Sequence, residues 1–187
     1  MIQENRKNLN VGIIAGLILL AALSRLLPHP PNFTPIGGMA LFGAAYFGRK
    51  YLAVLVPLVA LWISNFLLDN LVYAEYYEGI VWISNIGVYI AILAVVAFGW
   101  LVLKKVRFSN LILASLGASL LFFIVSNVGV WLSGMIYPKT WAGLVECFTL
   151  AIPFFGNTLF GDLLFVGLLF GSYELIRHRA LQPALND

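Results

Sequence analysis

Charge, cysteine and histidine are what this sequence has least of. Only 10% of its 187 residues are Asp, Glu, Lys or Arg, against about 25% in soluble domains. The single cysteine, Cys147, excludes an internal disulfide framework and a Cys-cluster metal site. With His29 and His178 as the only histidines, a His-rich metal site is excluded, and a Ser-His-Asp arrangement would have to recruit His29 as its base. No Gly-x-x-x-x-Gly-Lys-Ser/Thr loop is present for binding and hydrolysing ATP, and no His-Glu-x-x-His for zinc. The net charge of +3 is too small to point to a nucleic-acid surface. Nothing calls for a cofactor or metal, and no nucleophile and base stand out as a catalytic pair.

What the chain has in abundance is apolar length. Taking Gly in place of Tyr, about 66% of it is apolar, against about 45–50% for soluble domains. A soluble globule cannot hide that much apolar surface, so the sequence reads as an all-α polytopic membrane protein in one domain. Apolar runs fall at 9–27, 36–48, 51–68, 80–103, 109–133 and 153–176. They are uniformly apolar and too long for strands, which makes each a helix. Four prolines between 28 and 35 exclude helix there. The run 36–48 would be roughly 20 Å long as a helix, short of the hydrocarbon thickness of about 30 Å. Pro153 is expected to start the last helix, leaving 141–151, with Glu146 and Cys147, as an interfacial outer segment.

Basic residues orient the chain. With six crossings and both termini cytoplasmic, Arg6, Lys7, Arg49, Lys50, Lys104, Lys105, Arg107, Arg177 and Arg179 lie inside, and only Arg25 and Lys139 outside. A re-entrant second run with the N-terminus outside gives a weaker bias, eight to three. The first run also fits a cleaved signal peptide, though it is long enough to stay as an anchor.

Polar groups inside spans are expensive and therefore informative. Trp62, Asn65 and Asp69 share one face of the third run at offsets of three and four. Ser84, Asn85 and Tyr89 begin the fourth, Ser126, Asn127 and Trp131 end the fifth, and Asn157, Thr158 and Asp162 lie in the last. All sit in the outer half, which points to an outward pocket built from Trp62, Asn65, Asn85, Asn127, Trp131, Asn157 and Asp162. The competing reading is that the asparagines are interhelical hydrogen-bond glue, that Asp162 is a neutral acid bonded to Thr158 or another helix, and that Asp69 only ends its helix. Cys147 is read as apolar filler rather than a thiolate ligand. Small residues at four-residue spacing, Gly12 and Gly16, then Ala40 and Ala44, allow close helix approach, either within the chain or to a partner membrane subunit.

The run 25–43, with Pro28-His29-Pro30-Pro31-Asn32-Phe33-Thr34-Pro35-Ile36-Gly37-Gly38 at its centre, resembles the opening of a family of small bacterial membrane proteins described only as transport proteins of unknown function. Ser126-Asn127 with Trp131, Tyr137-Pro138, and Pro153 through Asn157-Thr158 to Gly161-Asp162 extend the resemblance over nearly the whole chain. In size and helix count the protein is also similar to the substrate-binding S components of energy-coupling factor (ECF) vitamin transporters. That likeness implies a small micronutrient bound near the outer face of the bacterial cytoplasmic membrane. It further implies docking through the first helix onto a membrane T component driven by two ATPase subunits, with Gly12 and Gly16 standing where that family has an Ala pair. A membrane scaffold without transport activity remains the second reading, and an intramembrane enzyme using Asp162 with Glu146 the third.

Overall fold

A computed structural model of the chain describes residues 2–181, with side chains over 10–179. The side chains of Arg6 and Lys7, part of the charge count above, lie outside the described residues. Among the described residues, six α-helices make up the fold: α1 Ile2–Leu23, α2 Ile36–Tyr46, α3 Lys50–Leu67, α4 Ile86–Val102, α5 Phe108–Ser133 and α6 Trp141–Leu181. No strand occurs among the described residues. Three stretches, Lys50–Val72, Phe108–Ser133 and Trp141–Arg179, are long and apolar enough to cross a membrane.

The shortest helix is the axis of the bundle. All eight residues from Ile36 to Gly43 are buried, and α2 touches each of the other five helices. A helix apolar all round belongs in a core, and its side chains Met39, Leu41 and Phe42 have no exposed surface. Phe42 meets Phe170 and Tyr173 of α6 edge-on, at 5.2 and 5.8 Å between ring centroids. Because α2 is enclosed by longer helices, its length of 11 residues need not match that of any surrounding one.

Alternation of helix direction sorts the chain ends. The α2–α3 turn, the α4–α5 turn and the end of α6 lie together: Tyr46 donates to Glu174 at 2.7 Å, and the Lys50 ammonium sits 5.6 Å from the Trp100 ring centre. Arg49, Lys50, Lys104, Lys105, Arg107, Arg177 and Arg179 therefore mark one end of the bundle. The opposite end holds the Pro-rich stretch 27–35, the loop between α3 and α4, and the α5–α6 turn. Where α4 crosses α5, Gly87 and Gly129 meet backbone to backbone, and a Cβ on Gly129 would lie 2.6 Å from the Gly87 Cα.

Three of the boundary differences from the sequence reading bear on the site. The first helix ends at Leu23, followed by a 3-10 turn Ser24–Leu26. Residues 80–85 are loop rather than helix, because Asn85 takes the N-cap position of α4 and its side chain accepts the Gly87 N–H at 2.9 Å. The third correction concerns Pro153, which neither starts a helix nor divides 141–151 from 153–176. It sits inside the 41 residues of α6, where it merely lacks an N–H for the Thr149 carbonyl. The N-terminal part of α6 is held on course by α5, since Phe148 and Phe155 pack on Phe123 at 5.6 and 5.1 Å between centroids.

Candidate functional site

At the end of the bundle away from the basic cluster, the helices diverge around a partly open cavity of about 300 Å³. Four elements contribute near their own termini: Arg25 after α1, Ile36 at the start of α2, Asn65 at the end of α3, and Ser84 and Asn85 at the entry to α4. From α5 come Phe122, Phe123, Ser126 and Asn127, from α6 Thr158, and from the Pro-rich loop Asn32 and Thr34. Asn32 holds φ of 62°, a left-handed conformation that asparagine accepts more readily than other side-chain-bearing residues.

The polar wall is organised around Arg25. Its Nη1 donates to Ser64 Oγ at 2.6 Å and to Asn65 Oδ1 at 2.7 Å. Asn65 in turn donates to the Tyr89 hydroxyl at 3.3 Å, so one network ties the 3-10 turn after α1 to α3 and α4. The Nε of Arg25 is sealed without a partner.

Asp69 lines the same cavity from a π-helical turn, Leu68–Val72, that finishes α3. The turn is closed by the Tyr73 N–H on the Leu68 carbonyl at 2.8 Å, and such i to i+5 turns widen a helix where a side chain must be re-aimed. One residue on, Asn70 donates to the Val81 carbonyl at 2.8 Å and accepts from the Val81 N–H at 2.9 Å. That reciprocal pair pins the α3–α4 loop back onto α3, delivering Ser84 and Asn85 to the cavity.

Of the seven residues expected to bind solute, the structure brings Asn65, Asn85 and Asn127 to this cavity and turns the other four away from it. Asp162 is 1% exposed and serves α2. One carboxylate oxygen accepts the Gly38 N–H at 3.2 Å and the other the Ser119 hydroxyl at 2.7 Å. It thus caps, from 124 residues away, a helix whose own N-cap, Pro35, provides no side-chain bond. A carboxylate at a helix N-terminus satisfies free N–H groups and the helix dipole together. Gly37 is required there, since a Cβ would overlap the Asp162 carboxylate.

Trp62 donates to the Trp82 carbonyl at 3.2 Å, and Trp131 to those of Pro138 and Thr140 at 3.1 and 3.2 Å. Both indoles fasten loops. Asn157 donates to the Pro31 carbonyl at 2.9 Å, holding the Pro-rich loop on α6.

The four small residues also separate. Ala40 is fully buried and Ala44 packs against Gly99, which makes them internal contacts rather than docking positions, because α2 is the axis. Gly12 and Gly16 are exposed, with nothing within 4 Å of where a Cβ would lie. Cys147 is 2% exposed and its thiol donates to the Asn127 carbonyl at 3.5 Å. Sixteen positions of one helix, about 24 Å, separate Glu146 from Asp162, so those carboxyls form no catalytic pair.

Arg25, Asp69 and Asn70 are what the sequence reading missed in roles they hold here. Arg25 carried a signal, as one of only two basic residues at this end. Compared with known proteins, the chain matches no curated protein and no solved structure. Residues 5–185 match the family of unknown function DUF6580, and because that stretch is nearly the whole chain, the protein belongs to this family.

Proposed function

We propose that the chain is a substrate-binding transport subunit of the bacterial cytoplasmic membrane, with six spans, both termini cytoplasmic, and the cavity opening outward to take a small nutrient. The observation that carries this reading is the cavity itself: all six helices, or the turns at their ends, line one volume with amides, hydroxyls, a guanidinium and a carboxylate. Glue between helices has no need of an open volume.

The distribution of surface supports the membrane. Leu20, Leu113 and Phe160 are 67%, 66% and 65% exposed, while Ser64, Ser115, Ser119 and Asp162 are buried. Apolar outside with polar inside suits a lipid solvent. The basic cluster at the end opposite the cavity agrees with a cytoplasmic placement, and Tyr73, Tyr76, Tyr77, Trp82 and Trp141 are exposed around the cavity end, as at a headgroup boundary. The open Gly12 and Gly16 face fits docking of a membrane partner in the manner of ECF S and T components with their ATPases. That same open face also favours a second reading, a scaffold that binds a partner helix and carries no solute.

Growth medium distinguishes the two. In a strain lacking the gene, complemented with wild type or with Ser126→Trp to fill the cavity, the transport reading expects at least one medium component whose depletion requires wild type and fails with the variant. Identical depletion profiles, with the variant present at wild-type level in the membrane, would contradict it.

A further inference from the structure

Two opposite charges line the cavity without touching. Arg25 spends only Nη1 on the protein, leaving Nε with no partner and Nη2 with no hydrogen bond among the described residues. Nε is sealed, whereas Nη2 is not and so is the donor open to a ligand; a guanidinium N–H makes a short, charge-assisted hydrogen bond to a carboxylate. Asp69 is 8% exposed, yet among the described residues its carboxylate makes no hydrogen bond and no ion pair, and its oxygens are not sealed from the cavity. Had these groups served only the fold, the economical arrangement would be a direct Arg25–Asp69 bridge; instead Arg25 is fastened to Ser64 and Asn65, which holds it in place.

We propose that the solute is a zwitterion of the amino-acid type, its carboxylate on Nη2 of Arg25 and its ammonium on Asp69. The proposal rests on the solute-binding reading above and adds the charge pattern of the ligand. A purely anionic solute would sit against Asp69, and a purely cationic one against Arg25. Either would leave one partly buried charge unpaired, at a cost that only a ligand carrying both signs avoids. Tyr73, Phe122 and Phe123 supply aromatic wall for the remainder of the molecule.

The test is titration calorimetry on the purified full-length protein with three probe sets: the twenty protein amino acids, their N-acetyl derivatives, which keep only the anion, and their amides, which keep only the cation. At least one free amino acid is expected to bind, with its N-acetyl and amide forms roughly 10- to 100-fold weaker, the range of one charged hydrogen-bonded contact. Asp69→Asn, which breaks no bond within the protein, is expected to weaken the free amino acid by the same factor and to erase its advantage over the N-acetyl form. Arg25→Gln should do the converse, erasing the advantage over the amide. Binding of a blocked form as tightly as the free one, or binding of no amino acid at all, would overturn the proposal. Ser126→Trp separates the two levels: a blocked ligand lost in that variant overturns the zwitterion and keeps the cavity, whereas a ligand retained in it removes the cavity reading as well.

Discussion

At the scale of single residues, the same side-chain type does different work according to what faces it. Asn65 holds an arginine, Asn70 clamps a loop, Asn85 caps a helix and Asn157 holds the Pro-rich stretch. Asn65, Asn85 and Asn157 stood out in the sequence as polar groups in or beside apolar runs, whereas Asn70 and the group opposite each did not, since those partners are set by packing between distant elements. Asp162 shows the limit most clearly. Its position inside an apolar run marked it as functional, yet nothing local reveals that the first turn of α2 lies against it. Asp162→Ala is therefore expected to destabilise the fold by about 2–4 kcal/mol, the combined worth of a helix cap and a charge-assisted hydrogen bond. Asp162→Asn, whose amide oxygen can still accept from Gly38, should cost less. Thermal unfolding in detergent reads both, and solute affinity measured on the folded fraction should stay near wild type in each. Loss of affinity with unchanged unfolding temperature would return Asp162 to the binding site.

At the scale of elements, the apolar runs gave the number and order of helices because a uniformly apolar stretch has few alternatives. Boundaries were poorer wherever a proline or a cap decided them. Proline is favoured in a helix's first turn and tolerated in the interior when neighbours hold the helix on course, so sequence alone did not reveal that α5 supports α6 past Pro153. Spin labels at the exposed positions Val145 and Phe160, in a Cys147→Ala background, test the point. A continuous α6 places these backbones about 22 Å apart, while an outer segment turned across the bundle end would bring them several ångströms closer. The α4–α5 crossing offers a second check. Gly129→Val puts side-chain atoms where the Gly87 backbone already is, and the expected loss is about 1–3 kcal/mol, seen as a lower unfolding temperature together with weaker solute binding, because Asn85 and Asn127 flank this contact.

For the whole molecule, the organising fact is that the shortest apolar run, the one whose ability to cross was in question, is the helix around which the others assemble. That inversion follows from length: a helix too short to span alone can be enclosed, and its N-terminus then needs a cap from inside the bundle, which Asp162 gives. Ending α2 below the level of its neighbours is also what leaves room for the cavity above it, with Ile36 at its floor and Arg25 and Asp69 in its walls. The fold and the candidate site are thus one arrangement. Its central claim, that this volume exists to hold a small solute, is tested most directly by native mass spectrometry of the purified protein, comparing wild type with Ser126→Trp. The account predicts a one-to-one adduct on the wild type, of a mass that about 300 Å³ can accommodate, and none on the folded variant. Wild-type protein without an adduct even after incubation with cell extract, or the same adduct on both proteins, would contradict it.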